Sequence, residues 1–200
     1  MSTDGLGAER RRRRAVFLDR DGVLTEPVLV DGRERPAWSL DELDVVTAAG
    51  AATRDLRAAG FLLVLVTNQP DIARGDVDAE VVVAINEHVA ELLGLDAVYA
   101  CPHDGHDGCA CRKPLPGMIH EAAAALDIEL AESWLVGDRW VDIAAGQAAG
   151  VRTVLVKRAH SMSPTSAGDP PHDLRPDAAV HDIAEASALI LRGAAVTQRP

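Results

Sequence analysis

Two aspartates one residue apart, Asp19 and Asp21, close a short apolar run and are followed at once by Gly22. Carboxylates held this close repel unless a cation or a shared proton relieves them. Magnesium, which takes oxygen ligands, supplies that relief. A calcium loop does not fit, because its glycine stands three residues after the second acidic position rather than directly after it. Three further polar groups follow apolar stretches: Thr67-Asn68-Gln69, Arg112-Lys113, and Gly137-Asp138-Arg139 with Asp142. All three cysteines fall between positions 101 and 111, with His103 and His106 among them. Three thiols and one imidazole make a tetrahedral zinc site, and four protein ligands leave no open position, so such a zinc is structural. Cys109 and Cys111 are too close for an easy disulfide, and clustering of this kind in a cytosolic chain favours a metal.

The elements that must position these groups alternate along the chain. Ala15 to Leu18 reads as a buried strand, and Phe61 to Val66, Asp96 to Ala100, Ser133 to Val136, Val151 to Val156 and Ala178 to Val180 read as further strands. Helices are expected over 47–59, 77–93, 116–126, 141–149 and 182–191, several closed by glycine. Val23 to Ser39 shows no period and is expected to be a loop overhanging the first strand. This alternation predicts an α/β fold with a central parallel sheet covered by helices on both faces. The polar groups then lie at the carboxyl ends of the strands, on one edge, where open parallel sheets bind ligands.

Composition bounds the remaining possibilities. With 200 residues, one domain is expected over 15–195, preceded by a disordered tail, 1–14, that ends in the run Arg10 to Arg14. Segment 161–176, rich in Pro, Ser, Gly and Asp, is expected to be mobile. Aromatics make up only 3% of the chain, so the core must be built from aliphatic residues. A net charge of -11 argues against nucleic-acid binding by general attraction. No apolar stretch approaches the length of a membrane span, and no signal-peptide core precedes the first strand, so a cytoplasmic chain is expected. A monomer is the expected state.

The motifs Asp19-Arg20-Asp21-Gly22, Thr67-Asn68-Gln69, Lys113-Pro114 and Gly137-Asp138-Arg139 with Asp142 resemble, in order and spacing, the four motifs of the haloacid dehalogenase (HAD) superfamily of phosphatases. The resemblance spans about Ala15 to Val156. It implies a three-layer Rossmann-like fold without a large cap and Mg-dependent hydrolysis of a small phosphorylated metabolite. By that resemblance Asp19 is the nucleophile that forms an aspartyl-phosphate, and Asp21 is the general acid and base. Thr67 and Lys113 contact the transferring phosphoryl group, and Asp19, the Asp21 carbonyl and Asp138 hold Mg2+. Asp142 orients Lys113 or a Mg-bound water rather than binding the metal directly. The family's C-x-H…C-x-C pattern selects His103, with Cys101, Cys109 and Cys111, as the Zn2+ ligands. Asn68, Gln69, Arg112 and Arg139 are expected to bind substrate. Within the superfamily the zinc loop is similar to those of heptose bisphosphate and histidinol-phosphate phosphatases. A non-catalytic binding module on the same fold is the alternative of another class.

Overall fold

The apolar run after Arg14 forms the strand on which the sheet is centred. The computed structural model describes residues 12–197. In chain order the elements are β1 (Ala15–Leu18), β2 (Thr25–Glu26), β3 (Val28–Val30), β4 (Arg33–Arg35), β5 (Asp44–Val45), α1 (Ala49–Ala58), β6 (Leu62–Asn68), α2 (Asp71–Arg74), α3 (Ala79–Leu93) and β7 (Ala97–Cys101). They continue as α4 (Gly117–Leu126), β8 (Trp134–Gly137), α5 (Trp140–Ala149), β9 (Arg152–Val156), β10 (Ala178–Val180) and α6 (Ile183–Thr197).

Six strands form one parallel sheet in the order β10-β9-β8-β1-β6-β7. From β1 the chain builds outward to β6 and β7, then returns to β8 on the other side. The strand order therefore reverses beside β1, and such a switch point opens a crevice beyond the strand ends. Leu18 pairs with Leu65 on one flank and Val136 on the other, so the residues just beyond β1, β6 and β8 are brought together.

Side chains alternate across β1, as a pleated strand requires. Val16 and Leu18 pack with Leu56 of α1, Val89 of α3 and Ile190 of α6. Ala15 and Phe17 pack on the opposite face with Ile119 of α4 and Ala145 of α5. The sheet is thus the middle of three layers, and β1 is fully buried. No helix among the described residues is long and apolar enough to cross a membrane.

Three expectations change. The segment 23–39 is not a plain loop: β3 and β4 form an antiparallel hairpin with Val30 opposite Arg33. Both residues of its turn, Asp31 and Gly32, have positive φ, the conformation a two-residue hairpin turn demands. The expected helix over 77–93 starts at Ala79, and a separate short helix, α2, precedes it. Residues 1–11 of the expected tail lie outside the described residues, but Arg13 and Arg14 belong to the domain. Arg13 N donates to Asp127 O and Arg13 O accepts from Glu129 N, and the Arg14 guanidinium stacks on Phe61.

Candidate active site

Asp19 leaves β1, Asp138 leaves β8, Lys113 arrives on the loop after β7, and Asp142 sits in the first turn of α5. Lys113 Nζ lies 2.9 Å from Asp19 Oδ1, 2.5 Å from Asp142 Oδ1 and 2.8 Å from the carbonyl oxygen of Val66. One carboxylate oxygen from each of Asp19, Asp138 and Asp142 falls within 4.8 Å of the others. Two of these buried carboxylates, Asp19 and Asp142, share one buried ammonium, and Asp138 pairs with His160 instead. Burial pushes Asp19 up to about 6, with Asp142 and Asp21 adding to the rise and Lys113 opposing it. Burial likewise raises Asp138 and Asp142. Burial alone would lower Lys113, but the Asp142 and Asp19 charges reverse that and hold it above its ordinary value. The excess of negative charge calls for a cation, and the donors fit one. All are hard oxygens, and Asp138 Oδ1 is buried with no hydrogen-bond partner.

The motif Thr67-Asn68-Gln69 closes β6, and its three side chains have different partners. Thr67 lines the cavity beside Asp19, and its Oγ1 accepts from Gln69 Nε2 at 2.9 Å, leaving its own proton free to donate. Gln69, expected to bind substrate, does not reach the cavity. It is 1% exposed, and its Nε2 also donates to Asp21 Oδ2 at 2.9 Å. Its amide is held instead among buried partners, Thr67 Oγ1, Asp21 Oδ2 and the Arg20 guanidinium. Asn68 points the other way and clasps the Lys113 main chain, donating to Lys113 O and accepting from Lys113 N, both at 3.0 Å.

The four expected zinc ligands come together. Cys101 Sγ lies 3.2 Å from Cys111 Sγ, 3.7 Å from Cys109 Sγ and 3.5 Å from His103 Nδ1. The tetrahedron of a zinc thiolate has edges of about 3.8 Å, and all four atoms lie within 4.8 Å of one another. Burial holds the Cys101 thiol well above its ordinary pKa, with hydrogen bonding to Cys111 adding to the rise. The loop carries Arg112, whose guanidinium donates to His103 O at 3.0 Å and Ser166 Oγ at 2.9 Å. Arg112 and Arg139 both line the cavity.

Comparison with known proteins gives these positions a context. Residues 110–186 match the HAD-hydrolase-like family model. The chain is 36% identical over 175 residues to D-glycero-β-D-manno-heptose-1,7-bisphosphate 7-phosphatase of Haemophilus ducreyi, covering 81% of this chain and 92% of that protein. The Escherichia coli enzyme of the same name is 36% identical over 163 residues, 75% of this chain and 82% of its own. The chain belongs to the HAD phosphatases. Among solved structures, the D,D-heptose 1,7-bisphosphate phosphatase of B. bronchiseptica, complexed with magnesium and phosphate, superposes with a TM-score of 0.73 at 34% identity. That match covers 90% of this chain and 99% of that one.

This HAD phosphatase has no large cap, and smaller parts roof a cavity of about 480 Å3. The β3–β4 hairpin contributes Arg33, Glu34 and Arg35, and the loop after β9 contributes His160, Thr165 and Ser166. The hairpin is fastened on both sides. Trp38 Nε1 donates to Asp71 Oδ2 at 3.0 Å, while His160 Nδ1 pairs with Glu34 at 2.7 Å and His160 Nε2 with Asp138 at 2.8 Å. Four contributors escaped sequence reasoning: Arg20, Asn86, Trp38 and His160. Only Asp31-Gly32, a turn signal for the hairpin, was available to point at any of them.

Proposed function

We propose that this phosphatase removes a phosphoryl group from a phosphorylated sugar, with D-glycero-β-D-manno-heptose 1,7-bisphosphate as the substrate. The observation that carries this reading is the 36% identity to a phosphatase of that name across 92% of its length, joined to the convergence of Asp19, Asp138, Lys113 and Asp142 at one sheet edge.

Asp19 is the nucleophile. Its carboxylate forms a bond to phosphorus as the bond to the sugar oxygen breaks, and Asp21 gives that oxygen its proton. Water then attacks phosphorus, its proton passes to Asp21, and inorganic phosphate leaves as the Asp19 carboxylate is restored. Two easier steps replace one of the slowest reactions known. Lys113, fixed by three oxygens, places positive charge against the phosphoryl oxygens. The Thr67 hydroxyl donates to the same group, and Asn68 keeps Lys113 in position. Arg112 and Arg139 bind the rest of the substrate. Asp19, Asp138 and the Asp21 carbonyl would hold Mg2+, which offsets repulsion between the entering carboxylate and the phosphate oxygens. Cys101, His103, Cys109 and Cys111 would hold a structural Zn2+.

The test is Mg-dependent phosphate release from heptose 1,7-bisphosphate, histidinol phosphate and simple sugar monophosphates. The bisphosphate is expected to give the highest kcat/KM. A preference for histidinol phosphate would replace the substrate, and no release from any of them would overturn the catalytic reading. Asp19→Asn is expected to abolish release with the fold intact.

A further inference from the structure

Arg20 stands between the two motif aspartates, and its side chain is wholly buried. An apolar residue of similar volume would fill that space without the desolvation cost of a guanidinium, so the charge calls for an explanation. Its donors are all directed. Nε reaches both Asp21 oxygens at 3.1 and 3.2 Å, and Nη2 reaches Asp21 Oδ2 at 3.0 Å and Gln69 Oε1 at 2.9 Å. Nη1 reaches Asn86 Oδ1, on α3, at 2.7 Å. Gln69 then passes Nε2 back to Asp21 Oδ2, and Thr25 Oγ1 donates to Asp21 Oδ1 at 3.2 Å. Every contact to the Asp21 carboxyl is thus donated to it. Donors from Arg20, Gln69 and Thr25 together fix the direction in which the Asp21 carboxyl points.

We propose that Arg20, braced by Asn86 and Gln69, is a positioning residue that holds the Asp21 carboxyl in place to take the proton from water during breakdown of the aspartyl-phosphate. The inference rests on the roles proposed for Asp19 and Asp21 in the reaction. In that step the water oxygen bonds to phosphorus, the bond from phosphorus to Asp19 breaks, and the water proton goes to Asp21. With a leaving group that needs no proton from Asp21, removing the Arg20 fork therefore slows the water step while leaving phosphoryl transfer to Asp19 in place.

The test uses p-nitrophenyl phosphate, whose leaving group departs without a proton, so that only the second step depends on Asp21. In Arg20→Lys, kcat is expected to fall about 10- to 100-fold while kcat/KM changes less than about threefold. A burst of about one equivalent of nitrophenolate and an acid-stable phosphoprotein should appear. Asn86→Leu withdraws only the Nη1 acceptor and should show the same pattern more weakly; it decides the matter if Arg20→Lys fails to fold. If Asp21→Asn traps the phosphoprotein but neither of these variants does, and their kcat and kcat/KM fall together, the inference is overturned and the proposed function stands. If Asp21→Asn traps nothing either, the base role of Asp21 falls, and the inference with it.

Discussion

Gly22 lies so close to Asp138 that a β-carbon on it would overlap the Asp138 carboxylate and come within 2.7 Å of its Cγ. Gly22 also has φ +85, where a side chain is strained for any other residue. Gly22→Ala therefore meets two penalties at once. The backbone strain alone costs about 1–2 kcal/mol, and the overlap forces Asp138 away from Asp19. The expected result is a lower Tm and about tenfold more magnesium needed for half-maximal activity, read by thermal melts and a magnesium titration of phosphate release.

Lys113 is the ammonium shared by buried Asp19 and Asp142, so its removal leaves those two carboxylates without their counter-charge. Lys113→Met is expected to lower kcat by about 10²- to 10³-fold through lost stabilisation of the phosphoryl oxygens. It should also destabilise the fold by about 3–5 kcal/mol at pH 8. The loss should shrink at pH 5, below the Asp19 value of about 6, where that carboxyl can take up a proton in place of the missing cation. Urea melts at the two pH values check this, and equal losses at both would contradict the charge account.

A raised carboxyl pKa has a definite sign. Between the ordinary value of 3.8 and the folded value of about 6, Asp19 is protonated in the folded chain and ionised in the unfolded one. The folded state then binds more protons, so the metal-free protein should lose stability as pH rises through that window. Below 3.8 this contribution favours neither state, and above about 6 the penalty is complete. Magnesium binds the ionised form, so its addition should remove the penalty and extend activity to lower pH. Melts from pH 4 to 7 with and without magnesium, together with pH–rate profiles at two magnesium concentrations, measure both effects.

Much of the site was legible because parallel strands put chemistry at their ends. Apolar runs located β1, β6 and β8, and polar residues directly after them had to share an edge. Side-chain direction was harder. Thr67 lines the cavity while Gln69, two residues on, is held by Asp21 and Arg20, partners that the two-residue period of a strand does not reveal. Arg20 was visible in sequence only as a member of the Asp19-Arg20-Asp21-Gly22 motif; its acceptor Asn86 lies 66 residues on, on the buried side of α3, and only packing joins them. The hairpin was missed for another reason. Leu29 and Arg33 are exposed, so the strands carry no burial pattern, and the Asp31-Gly32 turn was the one available cue.

The Cys/His loop carries Lys113, yet Lys113 is also clasped by Asn68 and bound to Val66 O. Metal analysis is expected to return about one zinc per chain. Stripping it should loosen the loop, lower Tm and reduce turnover about 10- to 100-fold without abolishing it, because the Asn68 clasp remains. Asn68→Ala in the zinc-free protein should bring activity down to that of Lys113→Met. Calorimetric magnesium titration should still detect the Asp19 and Asp138 site. Unchanged turnover in protein shown to lack zinc would count against a structural role for the metal.

The hairpin roof depends on Trp38. Its indole ties the segment after β4 to Asp71 of α2, and Arg35 stacks on its ring at 4.1 Å while pairing with Glu42 at 2.7 Å. No residue of the chemical step touches this cluster, so loosening it should affect how the sugar is held and not how phosphorus is attacked. Trp38→Ala is expected to raise KM for a sugar phosphate about tenfold, equivalent to ~1.4 kcal/mol of binding, with kcat within about threefold. For p-nitrophenyl phosphate, which lacks a sugar to be gripped, KM should barely move. Equal increases for both compounds would mean that the hairpin supports the fold of the cavity and makes no contact with the leaving group.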